Sequence, residues 1–215
     1  MKRIATGIGC MVVLTCLTVS QDSVKPNQKL RQIYSSKVGF YQPSDGLNNG
    51  LMVGVDGITE FLHYDFFLSG SAELYPKSTI AIFKQPEPRV NQQDMILLPV
   101  HVNGAYKVFD APEADTRVYL GAGAGYYFYF YRVDYQTSSS GGGLLGGGGL
   151  SLTSYSESKN GGNVFGTLFA RALIGQIFLE PRVYFASARE ENMQGDLKIR
   201  INPSGFAITL GFQTK

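Results

Sequence analysis

The chain has 215 residues, with 19 Lys plus Arg, 17 Asp plus Glu and a formal net charge of +2. Charged residues make up 17% of it, against roughly 25% in an average soluble domain. This composition excludes a nucleic-acid-binding protein that acts through a broad basic surface, because no cationic excess exists to neutralise phosphates. The length suits one domain with a sizeable core, or one closed barrel.

The first 20 residues have the pattern of a secretory signal peptide. Lys2 and Arg3 precede residues 4–19, which carry no charge. A basic start before a short apolar run is typical of such a leader. A spanning helix needs about 20 apolar residues, and this run is shorter. The small residues up to Ser20 predict cleavage after that position.

Cleavage after Ser20 removes both cysteines, Cys10 and Cys16. The mature chain then contains no thiol, so we expect no disulfide and no cysteine–metal chemistry. An alternative is lipid attachment at Cys16, because Val13-Leu14-Thr15-Cys16 resembles a bacterial lipobox.

Residues 21–36 are polar, and we expect them to form a periplasmic N-terminal lead, either as a short helix or disordered. Beyond this lead the sequence alternates with a period of two, which is the pattern of β-strands. The predicted strands are 37–42, 50–61, 64–76, 94–110, 117–136, 163–175, 177–190 and 205–212.

One face of these strands carries no charge and the other carries all of it. In 117–136, for example, Val118, Leu120 and Phe128 share one face with other apolar residues, whereas Arg117 lies on the opposite face. The charged residues of the polar face are Lys37, Asp56, Asp65, Glu73, Lys107, Arg117, Arg171, Glu180 and Arg182.

The predicted connections alternate in length. The long ones are 43–49, 77–93, 137–162 and 191–202, and the short ones are 62–63, 110–116 and 175–176. If an even number of antiparallel strands closes on itself, all long connections lie at one end. Long outer loops with short periplasmic turns are the arrangement of outer-membrane barrels.

Alternation alone does not decide which face points outward. In a secreted lipocalin-like carrier the apolar face would line a ligand cavity. Here the polar face is rich in Gly, Ser, Thr and Tyr rather than in the Lys and Glu of a water-exposed surface. Tyr126, Phe128 and Phe130 end one apolar face, as an interfacial aromatic girdle would. Both features favour lipid on the outside.

The chain resembles the small eight-stranded outer-membrane barrels, the group of the OmpA transmembrane domain, OmpX and the opacity proteins. The resemblance rests on Ile96–Phe109, on Val118–Tyr131 with its Gly121–Gly125 run, and on Gly205–Phe212. It implies an all-β fold, an eight-stranded antiparallel up-and-down transmembrane β-barrel over residues 37–215. It also implies a location in the bacterial outer membrane, contact with outer-membrane lipid, and a monomer.

The lumen is expected to hold charged pairs. A two-residue turn at Gly175-Gln176 would pair Ile174 with Ile177 and so place Arg171 opposite Glu180. In the same register Phe169 lies opposite Arg182. Lys107 and Arg117 lie near the end with the short turns. We interpret Lys107, Arg117, Arg171, Glu180 and Arg182 as a lumen charge network, either structural or, alternatively, a path for a small solute.

The sequence favours no enzyme. His101 is expected to face the lumen near mid-strand, without a serine beside it in register, so the geometry of an oriented base and a nucleophile is missing. The acidic residues lack a calcium-binding spacing, and we predict neither a metal nor a cofactor. The expected function is a scaffold that presents surface loops, with 77–93 and 137–162 as candidates for contact with a surface ligand or host partner. A small-solute channel and a lipocalin-like carrier remain the alternatives.

Overall fold

A computed structural model describes residues 30–45, 49–80, 89–140, 150–192 and 198–214. The predicted signal peptide, cleavage after Ser20, lipid attachment at Cys16 and the glycine-rich segment 141–149 lie outside these residues. Within them, no helix is both long and apolar enough to cross a membrane.

Alternating sequence produces extended strands, and the described chain is almost entirely β-structure. The only helical element among the described residues is a single 3₁₀ turn, Pro112–Ala114. The strands are β1 Leu30–Asp45, β2 Gly50–Phe61, β3 Phe66–Ile80, β4 Arg89–Ala111, β5 Thr116–Ser140, β6 Leu150–Ile174, β7 Ile177–Ala186, β8 Arg189–Asn192 and β9 Lys198–Gln213.

The strands close into a ring. From β1 to β7 each strand pairs antiparallel with the next, β7 pairs with β9, and β9 pairs with β1 through a ladder that includes Ser35↔Gln213. β8 pairs with the start of β9, so β7 and β8 together form one interrupted barrel strand. The predicted eight-stranded, antiparallel, up-and-down barrel is therefore confirmed. Closure pairs the edges that an open sheet would leave exposed.

Short turns join the strands at one end of the barrel, at 62–65, 112–115 and 175–176. The predicted pair Ile174↔Ile177 is present. Gly175 has a φ of 63°, whereas Gln176 is absent from the positive-φ positions of the described chain. A positive φ at only the first central residue agrees with the predicted type II′ turn, in which glycine carries no steric penalty.

The two faces are distributed as predicted, with the apolar face outside. Leu51 and Val164 are each 67% exposed, and the aromatic residues Tyr126, Phe128 and Phe130 are also exposed. The charged face points inward, where Arg182 is 1% exposed. This is the reverse of a water-soluble protein, because the apolar side chains cover the surface and the charges fill the core.

The lumen contains three layers of side chains. A charged layer at mid-height separates an apolar layer near the short turns from an aromatic layer toward the loops. The layer near the turns consists of Ile33, Ile58, Phe67, Ala105, Tyr119 and Phe169. The layer toward the loops includes Tyr41, Met52, Tyr75, Met95, Leu97, Tyr127, Tyr129, Tyr131, Phe165 and Tyr184.

The predicted boundaries differ from the structure at the lead and at all four long connections. The predicted loops 43–49 and 191–202 are partly strand, because β1 continues to Asp45 and β9 already begins at Lys198. β1 begins at Leu30, so residues 30–36 of the predicted lead are strand. Much of the predicted loops 77–93 and 137–162 is strand as well, since β4 begins at Arg89 and β5 continues to Ser140. The apolar alternation stops where a hairpin extends beyond the apolar belt of the exterior, although its backbone pairing continues, and the hydrophobic pattern therefore placed the strand ends too early.

Candidate functional site

Glycines on β5 make room for the charged layer. A Cβ atom on Gly123 would lie 2.2 Å from the Asn103 side-chain oxygen, and one on Gly125 would lie 2.4 Å from the His101 Cβ atom. A Cβ on Gly121 would lie 2.4 Å from the Phe169 ring. The alternating glycines of the Gly121–Gly125 run thus leave lumen volume for side chains from neighbouring strands.

Six charged side chains from β1, β2, β3, β6 and β7 meet in this space. They are the cations Lys37, Arg171 and Arg182 and the anions Asp56, Glu73 and Glu180. All six are buried, and their formal charges balance. A buried charge is expensive unless a partner compensates it, so the balance of three against three is what allows this layer to exist inside the barrel.

Lys37 lies among the three carboxylates. Its Nζ atom is 2.7 Å from Oε1 of Glu73, 3.1 Å from Oδ1 of Asp56 and 3.4 Å from Oε1 of Glu180. Ser35 donates a hydrogen bond of 2.9 Å to the other oxygen of Asp56. One ammonium therefore joins the carboxylates of β2, β3 and β7.

Arg171 bridges two of the same carboxylates from the opposite wall. Its Nε donates to Oε2 of Glu180 at 2.7 Å, and its Nη2 donates to Oδ2 of Asp56 at 2.6 Å. The guanidinium carbon lies 4.2 Å from the centre of the Phe178 ring. The predicted cross-strand pair of Arg171 and Glu180 is therefore present, and an aromatic face adds a cation–π contact.

Arg182 links the charged layer to neutral polar groups. Its Nη2 donates to Oε1 of Glu180 at 2.8 Å, and its Nη1 donates to Oδ1 of Asn103 at 3.0 Å. The guanidinium carbon lies 4.5 Å from the centre of the Phe169 ring. Phe169 was predicted to stand opposite Arg182, and the ladder between β6 and β7 confirms this pair. Asn103 in turn donates to Ser69 and Ser71.

Lys107 and Arg117 are not part of this layer. Lys107 forms ion pairs with Asp65, at 2.8 Å, and with Asp110, and Arg117 pairs with Asp115 at 2.9 Å. Both cations lie near the short turns, as predicted, and their anionic partners are partly exposed. The prediction of a single network that includes Lys107 and Arg117 is wrong, because partners within or beside the turns are closer to them.

Three charged members of the layer, Lys37, Asp56 and Glu73, were absent from the predicted network. The sequence placed them on the correct face but not in register. The predicted connection 43–49 between β1 and β2 is not a two-residue turn, and the turn between β2 and β3 spans 62–65 rather than the predicted 62–63. Tyr184 was also missed, although it donates a hydrogen bond of 2.6 Å to Glu73. Its signal was its inward parity on a strand that also carries Glu180.

The surroundings of His101 are those of a packed core residue. Its Nδ1 atom lies 2.8 Å from Oδ1 of Asn103, and its Nε2 atom lies 3.4 Å from Oε1 of Glu73. The expectation that no serine stands beside His101 in register is wrong, because Ser71 pairs with His101 across β3 and β4. The Ser71 hydroxyl instead accepts a hydrogen bond of 2.9 Å from Asn103, and both side chains are buried.

The aromatic layer above the charges leaves little open volume. A cavity of about 10 Å³ lies among Tyr41, Met52, Tyr75, Tyr127 and Tyr184 with their neighbours. This volume is enough for roughly one water molecule. Among the residues that the structure describes, no group of three or more His, Cys, Asp and Glu side chains has the arrangement of a metal site.

Comparison with known proteins gives similarity of fold only. No protein-family model matches the chain, and no curated protein matches it. Among solved structures, it is similar to Ail, the attachment invasion locus protein of Yersinia pestis, in complex with the heparin analogue sucrose octasulfate. The identity is 12%, with 85% of this chain and 99% of that chain covered and a TM-score of 0.47.

It is also similar to Neisserial surface protein A (NspA), at 14% identity over 87% of this chain and 97% of that chain, with a TM-score of 0.42. The strand order and the closure of β9 onto β1 carry the assignment of the fold. By these features the chain is an eight-stranded, antiparallel, up-and-down β-barrel with an apolar exterior and a charged, filled lumen.

Proposed function

We propose that this protein is an outer-membrane β-barrel that acts as a scaffold and presents its loop-end strands for binding at the cell surface. The observation that carries the proposal is the reversed distribution of side chains, with apolar groups outside and charges inside. Lipid requires such an exterior, and it also requires that every backbone group be paired, which a closed barrel achieves.

The strand lengths support a role at the loop end. A tilted transmembrane strand needs about 9–11 residues. β2 and β7 have 12 and 10 residues, whereas β4, β5 and β6 have 23, 25 and 25. The outward apolar residues of β5 end at Phe130, and on β6 the positions of the same parity as Val164 are glycine or polar from 162 to 154. The longer strands therefore continue beyond the apolar belt as a β-ribbon with exposed polar side chains.

The filled lumen argues against the two alternatives. A solute path would need open volume through the charged layer and the aromatic layer, and the cavity of about 10 Å³ in the aromatic layer is far too small. A carrier of an apolar ligand would need an apolar cavity, but the apolar face here is external. The packed, buried surroundings of His101 likewise support a non-enzymatic role.

The first test is the electrophoretic mobility of the membrane fraction with and without boiling. We expect a heat-dependent shift, because an intact barrel resists detergent until it is unfolded. A soluble protein with one mobility would contradict the proposal. N-terminal sequencing of the same band tests export, with Gln21 expected as the first residue and a lipidated Cys16 as the alternative.

The second test concerns the β-ribbon. Cells that produce the protein should attach to a monolayer of cultured cells more than cells without it, and a variant shortened within 137–153 should lose this gain while it keeps the heat-dependent shift. Equal attachment by the shortened and the full-length protein would contradict a binding role for the ribbon.

A further inference from the structure

Among the described residues, one edge of β6 has no ladder partner where this strand rises above the barrel. β5 pairs with the whole of β6, from Ser140↔Leu150 to Thr116↔Ile174. The ladder between β7 and β6 runs only from Phe165 to Ile174. Within the described ranges no strand continues that ladder along the ribbon. Such an edge presents N–H and C=O groups to which another strand can add.

A hydrogen bond identifies the residues that point to this edge. The N–H of Val164 donates to the side-chain oxygen of Asn163 at 2.9 Å, and is therefore turned away from β5. In an antiparallel ladder, the N–H and C=O of one residue point the same way, and the direction alternates along the strand. Ser156, Ser158 and Asn160 share the parity of Val164, and they direct their backbone groups to the open edge.

The sequence of this edge is complementary to itself. If two copies of β6 run antiparallel with Ser158 opposite Ser158, then Ser156 stands opposite Asn160, and all of these residues direct their backbone groups at each other. In the same register Glu157 stands opposite Lys159, and Lys159 opposite Glu157. Opposite charges directly across two strands are favourable. A single register therefore satisfies both the backbone and the charges.

We propose that the open β6 edge binds the same edge of a second copy of this protein in an apposed membrane. The two-fold axis of such a pair is perpendicular to the sheet, so it reverses the barrel axis and makes the two loop ends face each other. Each barrel stays a monomer within its own membrane. This inference rests on the proposed function only for the exposure of the loop end at the cell surface.

The distances suit contact between two closely apposed surfaces. Ser158 lies six residues beyond Val164, where the apolar belt ends on β6. At about 3.3 Å per residue this is roughly 20 Å along the strand. A seven-residue pairing is weak by itself, but many copies in two surfaces act together and multiply their effect.

The experiment exchanges the two charges. Full-length protein is reconstituted into two populations of liposomes that carry different dyes, and the clustering of liposomes is followed by light scattering and two-colour microscopy. The variants are Glu157→Lys, Lys159→Glu and the double variant. Because Glu157 also accepts a hydrogen bond from Tyr135 at 2.9 Å, Tyr135→Phe is the matched control for loss of that bond without a change of charge.

Wild-type liposomes should cluster, and so should those with Tyr135→Phe or the double variant. Each single charge variant puts like charges opposite each other at two positions, which should weaken self-association by about tenfold. A mixture of Glu157→Lys liposomes with Lys159→Glu liposomes should cluster again, with alternating colours, because the opposite charges then face each other.

Two results would overturn the proposal. One is clustering of either single variant with itself at the wild-type level, and the other is a mixture that does not cluster. Wild-type liposomes that stay apart, with the heat-dependent shift and attachment to cultured cells intact, would reject self-recognition and leave the proposed function standing. An edge that serves a different protein would give that pattern.

Discussion

Replacement of Lys37 by methionine tests the charged layer most directly. The change keeps the apolar length of the side chain and removes the one ammonium that contacts three buried carboxylates. Oδ1 of Asp56 and Oε1 of Glu73 have no hydrogen-bond partner among the described residues, and Lys37 provides their charge compensation. Three anions would then face two cations.

Breaking a buried ion pair by removal of one partner costs about 3–5 kcal/mol. We expect a loss of this size in the free energy of unfolding for Lys37→Met. Lys37→Met combined with Glu73→Gln restores equal numbers of cations and anions, and we expect it to cost only about 1–2 kcal/mol, mainly from imperfect hydrogen bonding. With the single variant Glu73→Gln, these two complete a double-mutant cycle, and its coupling energy is one that a purely structural loss of packing would not produce.

The assay is urea unfolding in lipid vesicles, with the heat-dependent gel shift as the measure of folded protein. Lys107→Met is the control, because this lysine pairs with partly exposed aspartates near the turns, and exposed pairs contribute about 0–1 kcal/mol. A Lys37→Met barrel within about 1 kcal/mol of the wild type, or one that Glu73→Gln destabilises further, would refute the reasoning.

Three further predictions concern packing and openness. Gly123→Ala should destabilise the barrel by about 1–3 kcal/mol, because its Cβ would meet Asn103, whereas Gly70→Ala, where nothing lies within 4 Å, should be near neutral in the same urea titration. Gly175→Ala should cost about 1–2 kcal/mol, because its φ is 63°; an unchanged midpoint would contradict the turn. Wild-type protein in planar bilayers should give no conductance steps, and steady single-channel steps would contradict a filled lumen.

The sequence predicted the architecture because that architecture depends on a local property. The period of two and the charge-free face follow from neighbouring residues, and a two-residue turn gives register directly. For this reason the cross-strand positions of Arg171 with Glu180 and of Phe169 with Arg182 were predicted correctly.

The composition of the charged layer was harder to predict, because it depends on register across several strands. Lys37 meets Glu73 only through the ladders β1–β2 and β2–β3. For the first ladder the sequence predicts no short turn, and the turn of the second spans 62–65 rather than the predicted 62–63, which gives a different register. The lengths of β5 and β6 were underestimated for a different reason. Above the apolar belt both faces of a ribbon meet water, so polar residues occupy both, and the period disappears although the strand continues.

The charged layer has a consequence for the order of assembly. Lys37 contacts Glu180, 143 residues later, and Arg171 contacts Asp56 across 115 residues. The pairs Arg171–Glu180 and Lys37–Asp56 each form within one hairpin, and Arg182–Glu180 forms within one strand. Until β9 meets β1, the contacts of Lys37 with Glu180 and of Arg171 with Asp56 are missing, so each half of the layer is incomplete, and lipid does not tolerate bare charges or open strand edges.

If the barrel spans a membrane, as proposed, insertion and ring closure must therefore occur together. A partly assembled sheet has to keep its charged inner face hydrated while its apolar outer face contacts lipid. Formation of the final ladder, between β9 and β1, is the step that excludes water from the lumen. Because that ladder joins the two ends of the described chain, such as Ser35 with Gln213, we expect slow closure governed by long-range contacts rather than by the hairpins.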